Sequence, residues 1–325
     1  MKLWLLLLSS GLLGSEAAVL WPYEEKLSRV FATLTQASYC GADERLREWT
    51  CSPCRDAGVE VVPGSVRFIS RRELVQPNST FVLIARLATL MGPQQEAGCL
   101  VSFRGSETFT NWIEDFRFWN RIVPFDWCKD CFVEDGFSSV WRNVAPELLA
   151  HLLEIGCVPA NRSNASTTSS LFITGHSLGA AVGTLAMCSL QALGYQVGLS
   201  FLFESPRVGN KEFAEAFDQE FSRKIPAYRI THARDPVPHL PPRNLIGFKY
   251  RHVNYEVFYD REGQWRFCDQ QEDPSCADQY SLLGTLPFVG DHCATPLAPE
   301  GSICHCPVKS DPNVTKGRPT LPTLV

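Results

Sequence analysis

Beyond its first residues the chain has no apolar run approaching the roughly 18 residues that a bilayer-spanning helix needs, so no integral membrane segment is expected. It also lacks any excess of positive charge. Its 30 Lys and Arg stand against 35 Asp and Glu, a formal net charge of -5, which leaves no electrostatic footprint for nucleic acid or for an anionic membrane surface. No internal repeat recurs, no glycine-rich phosphate loop is present, and the carboxylates do not fall in calcium-loop spacing. A repeat array, a bound metal and an organic cofactor are therefore not expected.

Cysteine is not scarce. There are 13 in 325 residues, with a 45% hydrophobic and 20% charged composition that suffices for a sizeable core. The opening "MKLWLLLLSSGLLGSEAAVL" has a lysine, an apolar run from Leu3 to about Leu13 and small residues at Ser15 and Ala17, the pattern of a secretory signal over 1–17. Cysteine usage agrees with an oxidising compartment, as do glycosylation sequons at Asn78, Asn161, Asn164 and Asn313. The mature chain is therefore expected to be secreted, or lumenal in the secretory or lysosomal-vacuolar pathway. An odd count leaves one thiol over. Cys188, within an apolar helical stretch, is the candidate, because a buried cysteine behaves as a small hydrophobe. The C-x-x-C pairs Cys51/Cys54 and Cys128/Cys131 have no downstream ligand set, so in a secreted chain they read as local disulfides rather than zinc or redox sites.

Apolar strand-like stretches at 99–103, 171–174, 199–203 and 227–233 alternate with helical patterns at 24–35, 141–153, 178–193 and 211–221. Such alternation predicts an α/β fold with a mostly parallel sheet covered by helices. The expected organisation is one domain over 18–308, followed by a disordered Pro- and Thr-rich tail over 309–325.

One stretch carries chemistry. In "LFITGHSLGAAVGTLA" an apolar strand meets a small-residue helix at Ser177, with glycine at 175 and 179. Strand, G-x-S-x-G, helix is a nucleophile elbow, whose tight turn lifts the serine hydroxyl above the sheet edge. A serine hydroxyl needs a base to take its proton and an acid to orient that base. In elbow-bearing sheets these follow in the order Ser, Asp or Glu, His. Asp235, at a D-P turn where a strand ends, is the best-placed acid, although an Asp there also serves simply to start the turn. His239, His252, His292 and His305 follow it. His239 is too close in sequence, His252 sits in a strand-like segment and His305 lies between two cysteines. His292, in a loop after an apolar stretch, is favoured by a narrow margin, and the residues alone leave the choice open.

With "VSFRGSETFTNWIEDF", "TGHSLGAA", "ESPRVGN", "RDPVPHLPP" and "GDH" in order, the chain resembles the class 3 lipases, the filamentous-fungal triacylglycerol lipase type, from about Ser38 to Cys304. The resemblance implies an α/β-hydrolase fold with Ser177 as nucleophile, Asp235 as orienting acid and His292 as base. It makes His252 a structural residue and places the oxyanion hole at the backbone N–H of Leu178 and at Ser106, through its N–H with its hydroxyl as a further candidate donor. Phe109, Trp112, Ile113 and Phe116 recur at i, i+3, i+4 and i+7. By itself that stripe reads as a helix packed on the core; the resemblance makes it a lid that opens onto a lipid–water interface. The resemblance also implies disulfides Cys40–Cys304, Cys51–Cys54 and Cys268–Cys276, and leaves Cys99, Cys128, Cys131, Cys157, Cys293 and Cys306 unassigned. The implied activity is hydrolysis of glycerolipid acyl esters. A phospholipase A1, galactolipase or feruloyl-type esterase on the same scaffold, and a non-catalytic hydrolase-like binding protein, are the competing classes.

Overall fold

Alternation of apolar residues along the buried strands determines which layer each side chain joins. In a computed structural model that describes residues 22–71, 80–89, 91, 97–106, 121–160, 169–222, 224–245, 247–268 and 270–307, thirteen strands run in chain order. They are β1 (Arg67–Arg71), β2 (Thr80–Arg86), β3 (Gly98–Phe103), β4 (Ile122–Pro124), β5 (Phe132–Glu134), β6 (Ser170–His176), β7 (Ser200–Phe203), β8 (Gly209–Asn210), β9 (Ala227–His232), β10 (Asn244–Leu245), β11 (Phe248–Arg251), β12 (Glu256–Tyr259) and β13 (Trp265–Cys268). Eight form the central sheet in the order β1-β2-β3-β6-β7-β9-β12-β13. The inner strands β3, β6, β7, β9 and β12 pair in parallel, and β1, β2 and β13 extend the edges in antiparallel fashion. A smaller sheet, β10-β11-β8-β5-β4, stands beside it.

Parallel inner strands are buried on both faces, and this sequence supplies apolar residues to both. Val101, Ile173 and Leu202 join one core with α2 (Asp135–Glu154) and α3 (Leu178–Ala192), while Leu100, Phe172, Phe201 and Phe203 join another with Phe31, Ala32 and Leu34 of α1 (Glu25–Ala37). The sheet is therefore sandwiched between helices, as the alternating pattern predicts. The predicted 211–221 helix ends sooner: α4 covers Lys211–Phe217 and passes into a π-helical turn at Asp218–Ser222. Among the described residues no helix is long and apolar enough to cross a membrane. The expected signal, sequons, lid residues Phe109, Trp112, Ile113 and Phe116, and C-terminal tail lie outside the described residues.

Among the described residues twelve cysteines form six disulfides: Cys40–Cys306, Cys51–Cys54, Cys99–Cys157, Cys128–Cys131, Cys268–Cys276 and Cys293–Cys304. Both C-x-x-C pairs close locally, and Cys188 is free and fully buried in α3. The expected Cys40–Cys304 bridge is not formed. A bridge pair between Ala294 and Ser302, with the Ile303 N–H donating to the Cys293 carbonyl, turns the chain back so that Cys304 meets Cys293. Cys306, two residues on, reaches Cys40.

The junction of β6 and α3 is a close backbone contact. A Cβ at Gly179 would fall far inside van der Waals contact distance of the Phe103 carbonyl oxygen and 2.6 Å from that of Arg104, and one at Gly175 would lie 2.5 Å from the Gly179 carbonyl oxygen. These contacts are backbone against backbone, so no side chain can rotate away. Gly179→Ala is expected to lower stability by about 2 kcal/mol or more. Gly290→Ala, whose Cβ meets open space, is expected to stay within about 0.5 kcal/mol. Denaturant midpoints at unchanged slope check both.

Candidate active site

Ser177 occupies the N-cap position of α3 at φ 58 and ψ -128 and makes no side-chain cap. A serine at this position ordinarily accepts a bond from an amide of the first turn. Here the backbone turns it away, at a strain of about 1–3 kcal/mol, leaving Oγ buried with no hydrogen-bond partner among the described residues. The Ser177 N–H donates to the Phe203 carbonyl and its own carbonyl accepts from Ala180 and Ala181, so the strained residue is held from both sides.

The acid comes from the end of β9, where Ala233 at φ 49 reverses the chain. Asp235 both starts the turn and faces the site: Oδ1 accepts from the Val237 N–H at 2.9 Å, and Oδ2 accepts from His292 Nδ1 at 2.7 Å. Burial alone would raise this carboxyl. The charge and hydrogen bond of His292, a hydrogen bond from Glu204 and the Val237 N–H outweigh it and hold Asp235 below the ordinary carboxylate range.

With Nδ1 committed to Asp235, the second nitrogen of His292 is the one available to a nucleophile. Its loop is clamped on each side. Asp291 accepts from the Arg234 N–H at 3.1 Å and from Arg261 at 2.9 Å, and Cys293 is bridged to Cys304. The His292 ring packs against His176, the residue before Ser177, with centroids 4.5 Å apart. The elbow, the acid and the histidine therefore converge at the C-terminal ends of β6 and β9.

The segment after β3 completes the convergence. Gly105 lies against the elbow, where a Cβ would be 3.0 Å from Ser177 Cβ. Ser106 follows it, with a buried hydroxyl that has no partner among the described residues. Leu178 is the first residue of α3, where the helix provides no acceptor for its amide. His252 lies just past β11, donating Nε2–H to the Pro238 carbonyl at 2.6 Å, a structural contact. His239 is buried in the turn after Asp235, and His305 is exposed between bridged cysteines.

Two neighbours of this site escape sequence reasoning. His176 Nε2 lies 2.9 Å from the His292 carbonyl and must donate to it, so Nδ1 accepts from the Tyr39 hydroxyl at 2.7 Å, which in turn accepts from the Gly105 N–H at 3.1 Å. Burial, aided by the His292 charge, pushes His176 down to about 3 and keeps it neutral. This chain of bonds ties the turn after α1, the elbow, the Gly105 segment and the His292 loop together. Glu204, buried at the end of β7, contacts the far side of Asp235. Nothing in "FLFESP" announces it except an acid closing an apolar strand.

Comparison with known proteins places these features. The model of the Lipase (class 3) family matches residues 100–245, from β3 through the turn after Asp235. The secreted mono- and diacylglycerol lipase 1 of Fusarium solani is 39% identical over 161 residues, 50% of this chain and 44% of that one, so the chain spans less than half of that relative's length. The Rhizomucor miehei lipase–propeptide complex superposes with a TM-score of 0.64 at 25% identity, over 88% of this chain and 84% of the other. A lipase of the same organism is 30% identical over 273 residues, 80% of this chain and 67% of its own. Likeness over that much sequence extends far beyond one short motif: the chain belongs to the class 3 lipase family.

Proposed function

We propose that the protein is a secreted lipase that hydrolyses acyl esters of glycerolipids through Ser177, His292 and Asp235. The observation that carries this reading is the buried 2.7 Å hydrogen bond from His292 to Asp235, with the His292 ring tilted against His176, the residue before the strained Ser177. The names of the relatives, lipase and secreted mono- and diacylglycerol lipase, support the substrate class and the location. Six disulfides are also what an oxidising compartment favours.

Chemistry follows from the geometry. Ser177 Oγ attacks the ester carbonyl carbon while His292 Nε2 takes its proton, and Asp235 stabilises the imidazolium through Nδ1–H. Charge moves to the carbonyl oxygen, where the amides of Leu178 and Ser106 are the proposed donors; one such donor is worth about 3 kcal/mol of barrier. Collapse expels the alcohol, which leaves with the proton from His292. Water then repeats the sequence on the acyl-enzyme and releases the fatty acid. The stripe Phe109, Trp112, Ile113 and Phe116 is proposed as a lid that turns to a transient lipid–water interface.

Ser177→Ala is expected to lower hydrolysis of glycerides by about 10⁴-fold or more, and a fluorophosphonate probe is expected to label the wild type and not this variant. An unlabelled wild type would instead favour a non-catalytic binding protein. For the lid, rates on a short-chain triglyceride are expected to jump as its concentration crosses the solubility limit. A smooth hyperbola there would remove the lid from the account. A panel of glycerides, phospholipids, galactolipids and feruloyl esters is expected to give its highest turnover with glycerides.

A further inference from the structure

Glu204 is an expensive residue in an unusual place. It closes β7 at φ 49, in the left-handed region that disfavours an L side chain. It is 2% exposed, and its Oε2 is buried with no hydrogen-bond partner among the described residues. Its backbone joins the two catalytic strands: the preceding carbonyl, of Phe203, accepts from Ser177, and its own N–H donates to Ile230 of β9. Its carboxyl lies in hydrogen-bonding contact with Asp235, itself 2% exposed.

Two carboxyls in contact, away from water, hold one proton between them. Among the described residues Arg229 pairs with Glu256 at 2.7 Å and Arg207 with Glu272 at 2.7 Å, and neither pairs with Glu204. Asp235 collects the His292 and Val237 donors. Glu204 has a single backbone contact, from His232, to oppose its burial.

We infer that Glu204 is a positioning residue of the proposed relay, a neutral carboxylic acid that donates its O–H to the Asp235 carboxylate and holds it ionised and aimed at His292. The inference rests on the triad reading given above. Burial first, and then the charge of Asp235, push the Glu204 carboxyl well above its ordinary range, in keeping with this assignment. Other titratable or charged groups facing the cluster are Glu256 on β12, already paired with Arg229; His239 in the turn after β9; His176 on β6; and Asp291, paired with Arg261. Burial pushes His239 down to about 4 and His176 down to about 3, so both stay neutral through the range in which the relay works.

The sign of the effect follows. An O–H donated to Asp235 withdraws charge from it and weakens its hold on a protonated His292. Without that donor the imidazolium is held more tightly, and the acid limb of the pH profile moves to higher pH.

The test follows the second-order rate of fluorophosphonate reaction with Ser177 against pH in wild type, Glu204→Gln and Glu204→Met, together with infrared difference spectra of wild type against Glu204→Gln. Glu204→Met is expected to slow the reaction about tenfold and to move the acid limb up by about half a pH unit or more. Glu204→Gln, which keeps an N–H donor, is expected to lose less than about threefold with the limb displaced by about 0.3 or less. Wild type is expected to show the C=O stretch of a neutral carboxylic acid that Glu204→Gln lacks.

An ionised Glu204 would give no such band, and its neutralisation in Glu204→Gln would move the limb to lower pH; either result overturns the inference. So does a Gln variant that falls as far as Met, because packing alone would then be at stake. If Met does not fold, the Gln profile and the infrared band still decide. A wild type inert to the probe would sink the triad reading instead, while the band alone would still report the proton on Glu204.

Discussion

The approach of the first turn of α3 to the end of β3 constrains everything built around it. Because Gly179 brings a helix backbone into contact with the carbonyls of Phe103 and Arg104, the Ser177 turn and the Gly105–Ser106 segment cannot move independently. The positive φ of Ser177 is a consequence of that approach, since the chain has to leave β6 and enter α3 within one residue. Packing in a dense interior holds such strain in place, and the strained residue is the proposed nucleophile.

Burial then sorts the ionisable groups into roles. Imidazoles at His176, His239 and His252 are pushed down by desolvation and serve as neutral hydrogen-bonding parts. His292 alone among the buried histidines donates to a carboxylate, that of Asp235. The same desolvation raises Glu204 and would raise Asp235, were it not for the donors gathered around the latter. One physical effect yields opposite protonation states because the hydrogen-bond donors are distributed unevenly. Behind this cluster, the ion pair of Arg229 and Glu256, extended by Thr231 and the Ala277 N–H, keeps a further carboxylate satisfied.

Disulfides and short hydrogen-bond chains, not extra sheet, fix the loop that bears His292. The Cys293–Cys304 bridge lies directly after it, and Cys304 Sγ comes within 3.9 Å of both ring nitrogens of His176. Cys40–Cys306 ties the same C-terminal segment to the end of α1, where Tyr39 holds His176. The N- and C-terminal parts of the described chain thus meet behind Ser177. Closing a loop of that length stabilises a fold by on the order of 5 kcal/mol on the loop-entropy model.

Local steric and hydrophobic rules made much of this legible in the sequence. Glycines at 175 and 179 around a serine, between a β-rich run and a small-residue helix, signal the elbow because no other residue fits those contacts. The inner strands β3, β6 and β7 were readable because each is largely apolar on both faces, β9 because Tyr228 and Ile230 alternate with polar residues, and Asp235 because a D-P turn ends a strand. The edge strands β1 and β13 were not, since half-exposed polar strands carry a weaker pattern, and β2, buried and apolar over Phe81–Ala85, went unread although its pattern is strong. The choice of His292 over three other histidines, the partners of Cys304 and Cys306, the Tyr39–His176 chain and the contact of Glu204 with Asp235 depend on side chains far apart in sequence. Sequence by itself determined the Ser177 elbow, the helix-covered sheet and the order of these segments, because each depends on neighbours along the chain. Only the tertiary structure decided which imidazole meets which carboxyl and which of them keeps its proton, because those outcomes depend on distances and desolvation that exist only after the chain has folded.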